Sequence, residues 1–162
     1  MNIVMIPVRM GSQRLKQKNL RHLNGLPLIV HAIRKAKQVA AIDQVWVNSE
    51  HSKFGEIARE EGVHFHQRPE KLADHNATSE DFVYEFLTKH PCDFLVQVHS
   101  IAPLLTAEEV SGFTITLING DKDVLLSTVN EQIECAYQNQ PVNFSFNEKT
   151  NSQNLVPIQR IT

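Results

Sequence analysis

The stretch Asn2-Ile-Val-Met-Ile6-Pro-Val-Arg9-Met-Gly11-Ser12-Gln-Arg14-Leu15-Lys-Gln-Lys18-Asn19 decides the fold of this chain. It opens with an apolar run that is typical of a buried strand, and it continues as a basic loop that contains glycine. A loop of this kind, directly after a strand, offers backbone N–H groups and fixed positive charge at one point. These groups suit a polyphosphate, so the stretch indicates work on a nucleoside triphosphate.

Two common nucleotide-binding motifs are excluded for this loop. It contains neither G-x-x-x-x-G-K-[ST] nor G-x-G-x-x-G. Arg9 and Lys18 are the candidates for binding the β- and γ-phosphates, because their charges flank the turn. The N–H groups near Gly11 and Ser12 are expected to support them as an anion nest.

Helical and strand patterns alternate after the loop. Pro27 opens a helical pattern with apolar residues at three- and four-residue spacing up to Ala36. The further predicted elements are strand 44–48, helix 53–61, strand 63–66, helix 80–89 with Ser79 as its N-cap, strand 94–98, and helix 107–119 capped by Thr106. This alternation predicts an α/β fold with a mostly parallel, doubly wound sheet whose ligands bind at the carboxyl ends of the strands.

The sequence pattern changes from Lys122 onward, where polar residues become more frequent. Residues 123–128 and 135–137 read as strands, whereas residues 139–159 are polar and loop-like. We therefore predict an α/β core over residues 1–128 and a polar strand and loop extension over residues 129–162.

Composition narrows the class of protein further. The chain has 162 residues, 21% of them charged, and a net charge of -2, which predicts one globular domain without attraction to nucleic acid or membranes. No run approaches the roughly 20 apolar residues that span a bilayer, and no leader precedes the first strand, so a cytoplasmic protein is expected.

Cys92 and Cys135 are predicted to be free thiols. His64 and His66 favour a half-exposed strand over a metal site.

The basic loop resembles the opening signature R-x-G-S-x-R-L-x-x-K-N of the acylneuraminate cytidylyltransferases, which activate acidic nine-carbon sugars. The matching residues are Arg9, Gly11, Ser12, Arg14, Leu15, Lys18 and Asn19. Enzymes that activate the eight-carbon sugar Kdo usually carry Lys-Pro where this chain has Lys18 and Asn19, so the resemblance favours sialic-acid-type sugars. It also implies a fold of the nucleotide-diphospho-sugar transferase (Rossmann-like) type.

The resemblance implies roles for residues in three segments. In the family, the residues at the positions of Arg9 and Lys18 contact the triphosphate, and the one at Asn19 contacts the nucleotide. A second stretch, from Gln67 to Ser79, resembles R-P-x-x-L-A-x-D-x-A-S-S, and by position Arg68 and Ser79 would hold the cytidine. His99 stands where an amide usually meets the acceptor sugar.

Several positions depart from the family pattern. Gln13 replaces a lysine, which removes one positive charge from the phosphate loop, and His75 and Thr78 replace an aspartate and a serine. Glu50 ends a segment that matches S-T-D only in part. The substitution at His99 leaves the sugar specificity open.

The resemblance also implies Mg²⁺ and a partner chain. Family members hold Mg²⁺ with an Asp pair near their C-terminus. The resemblance places that pair after residue 162, so residues 1–162 are expected to supply none of these carboxylates. A C-terminal part of the family fold is therefore expected to be missing. Family members are usually homodimers, and residues 129–162 match the place of the dimerisation region.

Two main hypotheses follow. The first is a nucleotidyltransferase that transfers CMP from CTP to a sialic-acid-like sugar and releases pyrophosphate. The second is a shortened, non-catalytic module that binds a nucleotide or a sugar. A related nucleotidyltransferase for another acidic sugar, such as Kdo, is a further alternative.

Overall fold

A computed structural model of the chain describes residues 1–12, 15–74 and 76–161. Gln13, Arg14 and His75 of the motifs above, as well as Thr162, lie outside the described residues. The strands are β1 (Asn2–Pro7), β2 (His22–Leu23), β3 (Leu26–Pro27), β4 (Gln44–Ser49), β5 (His64–Gln67), β6 (Phe94–Gln97), β7 (Thr128–Glu131), β8 (Ala136–Tyr137), β9 (Gln140–Pro141) and β10 (Ile158–Ile161). The helices are α1 (Leu28–Ala36), α2 (Ser52–Glu60), α3 (Ser79–Lys89) and α4 (Ala107–Asn119), with 3₁₀ turns at Lys18–Leu20, Glu70–Leu72 and Ser152–Asn154.

A parallel sheet in the order β5-β4-β1-β6 forms the centre of the first compact unit, Met1–Gly120. Alternate residues of β1 enter different cores: Val4 and Ile6 pack with apolar side chains of α1 and α2, while Ile3 and Met5 pack with Phe86 of α3. Because both faces of the sheet are covered, the doubly wound α/β prediction is confirmed.

The strand order reverses between β1 and β6. The chain runs from β1 outward through β4 to β5 and then returns to the other side of β1. In sheets of this kind, the loops after the two strands at the reversal separate and leave a crevice at the carboxyl edge. This crevice is where the candidate site lies.

Most core elements follow the sequence prediction within about two residues, a usual margin for helix and strand ends, but the N-cap of α3 differs. The Oγ1 atom of Thr78, not of Ser79, accepts the Asp81 N–H at 3.3 Å, and the Asp81 carboxylate accepts the Thr78 N–H at 2.8 Å. This reciprocal capping box stabilises the helix start. Ser79 is the first helical residue, so its assignment as the N-cap was wrong.

A second unit begins at Asp121, eight residues before the boundary expected from sequence. Its strand β7 starts at Thr128, so the strand predicted for residues 123–128 was wrong. β7 pairs antiparallel with β10, whose first two residues fall in the stretch predicted to be a loop. Strands β8 and β9 form a hairpin whose turn residues, Gln138 and Asn139, have φ values of 50° and 63°.

Two further expectations concern cysteines and membrane spans. Cys92 and Cys135 are both free thiols, as predicted. Within the described part of the chain, none of the helices has the length and apolar character that crossing a bilayer requires.

Candidate active site

A cavity of about 610 Å³ lies at the carboxyl edge of the central sheet. This volume is in the range of small-molecule sites. The described residues that line it are Pro7, Val8, Arg9, Ser12, Leu15, Lys18, Asn19, Arg68, Ser79, Phe82, His99, Ser100 and Ile101. The cavity therefore brings together every site residue expected from sequence except Gly11, which lines an adjacent hollow of about 490 Å³ together with Ser12.

Positive charge dominates the cavity wall. Arg9 and Lys18 come from the loop after β1, and Arg68 follows β5. None of the described lining residues carries a carboxylate. Several cations that face one space, with no acid among the described lining residues, favour an anion. A polyphosphate is the anion best suited to that many contacts.

Arg68 is the most deeply placed of these cations, with 3% of its surface exposed. The Nη2 atom of Arg68 donates to the Val8 carbonyl at 2.8 Å and lies 3.4 Å from a carboxylate oxygen of Glu50. The guanidinium carbon stands 4.9 Å from the centre of the Phe82 ring. Burial lowers the pKa of Arg68, and the Glu50 carboxylate opposes that change. The buried Nε atom has no hydrogen-bond partner among the described residues.

Arg9 and Asn19 tie neighbouring loops together. Arg9 Nη1 donates to the Asp74 carbonyl at 3.0 Å, which links the loop after β1 to the loop before α3. Asn19 Nδ2 donates to the Arg9 carbonyl at 3.2 Å, and Asn19 Oδ1 accepts from Ser100 Oγ at 2.6 Å. Asn19 thus joins the two loops at the strand reversal while keeping one N–H and one lone pair for a ligand.

The amides near Gly11 and Ser12 differ from the open nest expected from sequence. The Ser12 N–H donates to the Met10 carbonyl at 2.9 Å. The Met10 N–H donates to Glu50 Oε1 at 2.7 Å. The Met10 and Ser12 amides are therefore both engaged within the protein, although Ser12 lines the cavity.

His99 lies on the β6 side of the cavity. Its ring is accessible from the cleft, yet enough protein surrounds it that desolvation lowers its pKa, and the positive charge of Lys18 lowers it further. The neutral imidazole, which both donates and accepts hydrogen bonds, is therefore favoured near pH 7.

Lys35 of α1 supports the loop that carries His99. Its Nζ atom donates to the Ala102 carbonyl at 2.8 Å, and the side chain is buried. Burial lowers the pKa of Lys35, which the Glu109 carboxylate opposes. Sequence analysis read this position only as part of a helix, because the pattern of α1 does not show which loop packs against it.

Glu50 and Phe82 are the other site residues whose contacts sequence analysis missed. Glu50 was noted only as a departure from the family pattern, although its position directly after β4 places it at the same sheet edge as the loop after β1. Phe82 stands one helical turn after Ser79, so the spacing of α3 was the signal that the two share a face.

The described residues do not fit a protein-held metal. No three His, Cys, Asp or Glu residues among them come together in a way that could bind an ion. His66 is 4% exposed and uses both ring nitrogens, one 3.0 Å from His90 Nε2 and the other 2.7 Å from a Glu85 oxygen. Of the two histidines of β5, His66 is thus buried whereas His64 is exposed, so the strand is half-exposed as expected.

A parallel sheet, crossover helices on both faces and a cationic crevice at the strand reversal define a doubly wound α/β protein of the nucleotide-binding class. The family model described as cytidylyltransferase matches residues 3–157. The chain belongs to this cytidylyltransferase family.

Individual relatives carry two kinds of name. The N-acylneuraminate cytidylyltransferase of Oncorhynchus mykiss is 29% identical over 102 residues, which cover 62% of this chain and 24% of the relative. The 3-deoxy-manno-octulosonate cytidylyltransferase of Bartonella henselae is 31% identical over 126 residues, which cover 75% of this chain and 50% of the relative. The chain thus spans a quarter to a half of the length of these relatives.

A solved structure shows the same fold. CMP:2-keto-3-deoxy-manno-octonic acid synthetase, in complex with CTP, superposes with a TM-score of 0.71 at 21% identity over 98% of this chain and 70% of that chain. The agreement confirms the nucleotide-diphospho-sugar transferase type of fold.

Proposed function

We propose that this chain binds CTP in the cavity and transfers its CMP group to a sialic-acid-like nine-carbon sugar, releasing pyrophosphate. The observation that carries the proposal is the gathering of Arg9, Lys18 and Arg68 around one cavity whose described lining contains no acid. Membership of the cytidylyltransferase family supports CTP as the source of the phosphates.

The proposed reaction is a displacement at phosphorus. A bond forms between the anomeric hydroxyl oxygen of the sugar and the α-phosphorus of CTP, while the bond from that phosphorus to the bridging oxygen breaks. Pyrophosphate leaves with the electron pair, and the hydroxyl proton passes to solvent. Positioning the two reactants and neutralising the charge on the leaving group are the main contributions that a protein makes to such a step.

Each cation has a proposed role in that step. Arg9 and Lys18 bind the β- and γ-phosphates, so their charges stabilise pyrophosphate as it leaves. Arg68 and Ser79 hold the cytidine at the start of α3, and Asn19 binds the nucleotide through its remaining amide hydrogen. Gly11 and Ser12 border the phosphates from the adjacent turn.

His99 is proposed to face the acceptor sugar. Its neutral ring hydrogen-bonds a sugar hydroxyl without adding charge. His99→Ala is expected to raise the KM for the sugar about 2- to 10-fold, since a neutral hydrogen bond contributes about 0.5–1.5 kcal/mol. His99→Asn, which restores an amide, is expected to keep the KM near the unsubstituted value, and CTP affinity should stay unchanged in both variants.

Mg²⁺ remains an expectation based on the family. The described residues supply no ligand set for it, so the roles above rest on the cations of the chain itself. A homodimer through residues 129–162 and a cytoplasmic location are likewise expectations.

The experiment is a pyrophosphate-release assay with CTP and two acceptors, an N-acylneuraminate and 3-deoxy-manno-octulosonate. We expect release with the nine-carbon sugar, because the Lys18 and Asn19 pair favours that class. Release only with the eight-carbon sugar would move the proposal to the Kdo branch of the relatives. CTP binding without release from either sugar would favour the second candidate, a non-catalytic binding module, which the cavity without a lining acid also fits.

A further inference from the structure

Glu50 connects the loop after β1 to the segment that carries Arg68. It follows β4 directly, and its Oε1 atom accepts the Met10 N–H at 2.7 Å from the loop after β1. Its Oε2 atom lies 3.4 Å from Arg68 Nη2 and accepts from Ser49 Oγ at 3.2 Å. The Glu50 carbonyl also accepts from the Gln67 side-chain amide. Both carboxylate oxygens are therefore occupied by groups from neighbouring loops.

Arg68 needs this carboxylate more than a surface arginine would. A buried cation is costly unless an anion or several hydrogen bonds compensate for the lost water. Arg68 has one carbonyl, one aromatic face and the Glu50 carboxylate as partners, and Arg9 adds a like charge nearby. Glu50 is the carboxylate that pairs directly with Arg68 in the described structure, and Glu85 adds a smaller attraction from farther away.

We propose that Glu50 is a positioning residue of the nucleotide site, which acts through Arg68 and the Met10 amide. One carboxylate oxygen of Glu50 contacts the Met10 N–H and the other contacts Arg68, so Glu50 fixes the distance between the loop after β1 and the Arg68 guanidinium. A nucleotide that contacts both segments then meets side chains that are already in place, so less conformational entropy is lost on binding. This inference rests on the proposed function.

A simpler role is the competing account. Glu50 stands directly before His51, the N-cap of α2, and an acid near a helix N-terminus stabilises the helix dipole. That role would not depend on Arg68. The two accounts are therefore separated by whether the effect of a Glu50 substitution changes when Arg68 is absent.

The test is a double-mutant cycle with Glu50→Gln, Arg68→Met and the double variant. Glu56→Gln is the matched control, because Glu56 is an exposed acid of α2 that pairs with Lys53 at the surface. CTP affinity is measured by titration calorimetry, and the free energy of unfolding is measured by urea titration for the same four proteins and the control.

We expect Glu50→Gln to weaken CTP binding about tenfold when Arg68 is present and about twofold or less in the Arg68→Met background, as for groups in direct contact. Glu50→Asp keeps the charge and should recover part of the affinity. Glu56→Gln should leave the affinity unchanged. Equal losses with and without Arg68, or an unchanged affinity for Glu50→Gln, would overturn the proposal.

If the proposed function is wrong, the calorimetry and unfolding results differ from those expected above. If the unsubstituted chain binds no CTP, the proposed function is contradicted, and the unfolding cycle decides the positioning claim. A coupling between Glu50 and Arg68 in unfolding would then support the part of the claim that concerns Arg68. Additive effects on unfolding would overturn it.

Discussion

Replacing Lys18 by methionine should separate a phosphate-binding lysine from a merely basic loop. Lys18 lines the cavity, whereas Lys16, two residues earlier in the same loop, is exposed and lines the adjacent hollow. Methionine keeps most of the side-chain length and removes only the ammonium group. Lys16→Met is therefore a control with the same chemical change in the same loop.

The size of the effect follows from the contact that would be lost. A hydrogen bond to a charged group contributes about 1.5–3 kcal/mol, and each 1.4 kcal/mol is a factor of about ten in affinity. Lys18→Met should thus weaken CTP binding about 10- to 150-fold, as measured by calorimetry at one fixed ionic strength. Lys16→Met should change it by less than about threefold, because Lys16 is exposed and does not line the cavity, so solvent and salt screen its charge.

A second readout does not require a ligand. The positive charge of Lys18 lowers the pKa of His99, in addition to desolvation of the ring. The pKa of His99, followed by NMR titration of the imidazole, should therefore rise in Lys18→Met and stay unchanged in Lys16→Met. The reasoning would be refuted if both variants lost the same affinity, or if the His99 titration did not respond to Lys18.

Further expectations concern stability. Phe86→Ala should cost about 3–5 kcal/mol in urea unfolding, because the ring is fully buried in the core beneath α3. Thr78→Ala should cost about 0.5–2 kcal/mol through loss of the N-cap, whereas Ser79→Ala should stay within about 0.5 kcal/mol. Desolvation, followed by the charge of neighbouring His66, lowers the pKa of His90 below its ordinary 6.5. The unfolded chain therefore binds this proton first, and the stability should fall as the pH drops through 6.5 toward the folded pKa. Urea midpoints at about pH 7.5 and about pH 5.5 should show this fall, and His90→Gln should reduce it.

The core of the fold could be read from the sequence because local pattern and tertiary packing agree there. The apolar run of β1 is buried on both faces, and the apolar spacing of α1 matches the face that covers it. The sequence also held the correct N-cap signal. Thr78 is followed three residues later by Asp81, which is the spacing of a capping box, while Ser79 is followed by Phe82.

The second unit was harder to read. Val124 and Leu126 suggested a strand, but hydrophobicity does not show where a pairing partner lies. The observed strand β7 pairs Glu131 with Ile158, 27 residues later in the chain, and none of the local turn signals specifies that register.

The residues predicted for the site, apart from Gly11, line one cavity, but the bonds between them and their neighbours could not be predicted. The motif spacing identified Arg9, Lys18 and Arg68, and parallel-strand topology explains why they share one edge. The bonds that Glu50 and Lys35 make to distant loops arise only when the chain is folded. A sequence pattern carries no direct signal for contacts of this kind.

Binding of CTP by the unsubstituted chain tests the central claim most directly. Titration calorimetry with CTP, and with ATP and UTP as controls, should show saturable binding of one CTP per chain and much weaker binding of the other two nucleotides. Repeating the CTP titration with Mg²⁺ would show whether the ion contributes. Absence of CTP binding, or equal affinity for all three nucleotides, would contradict the account.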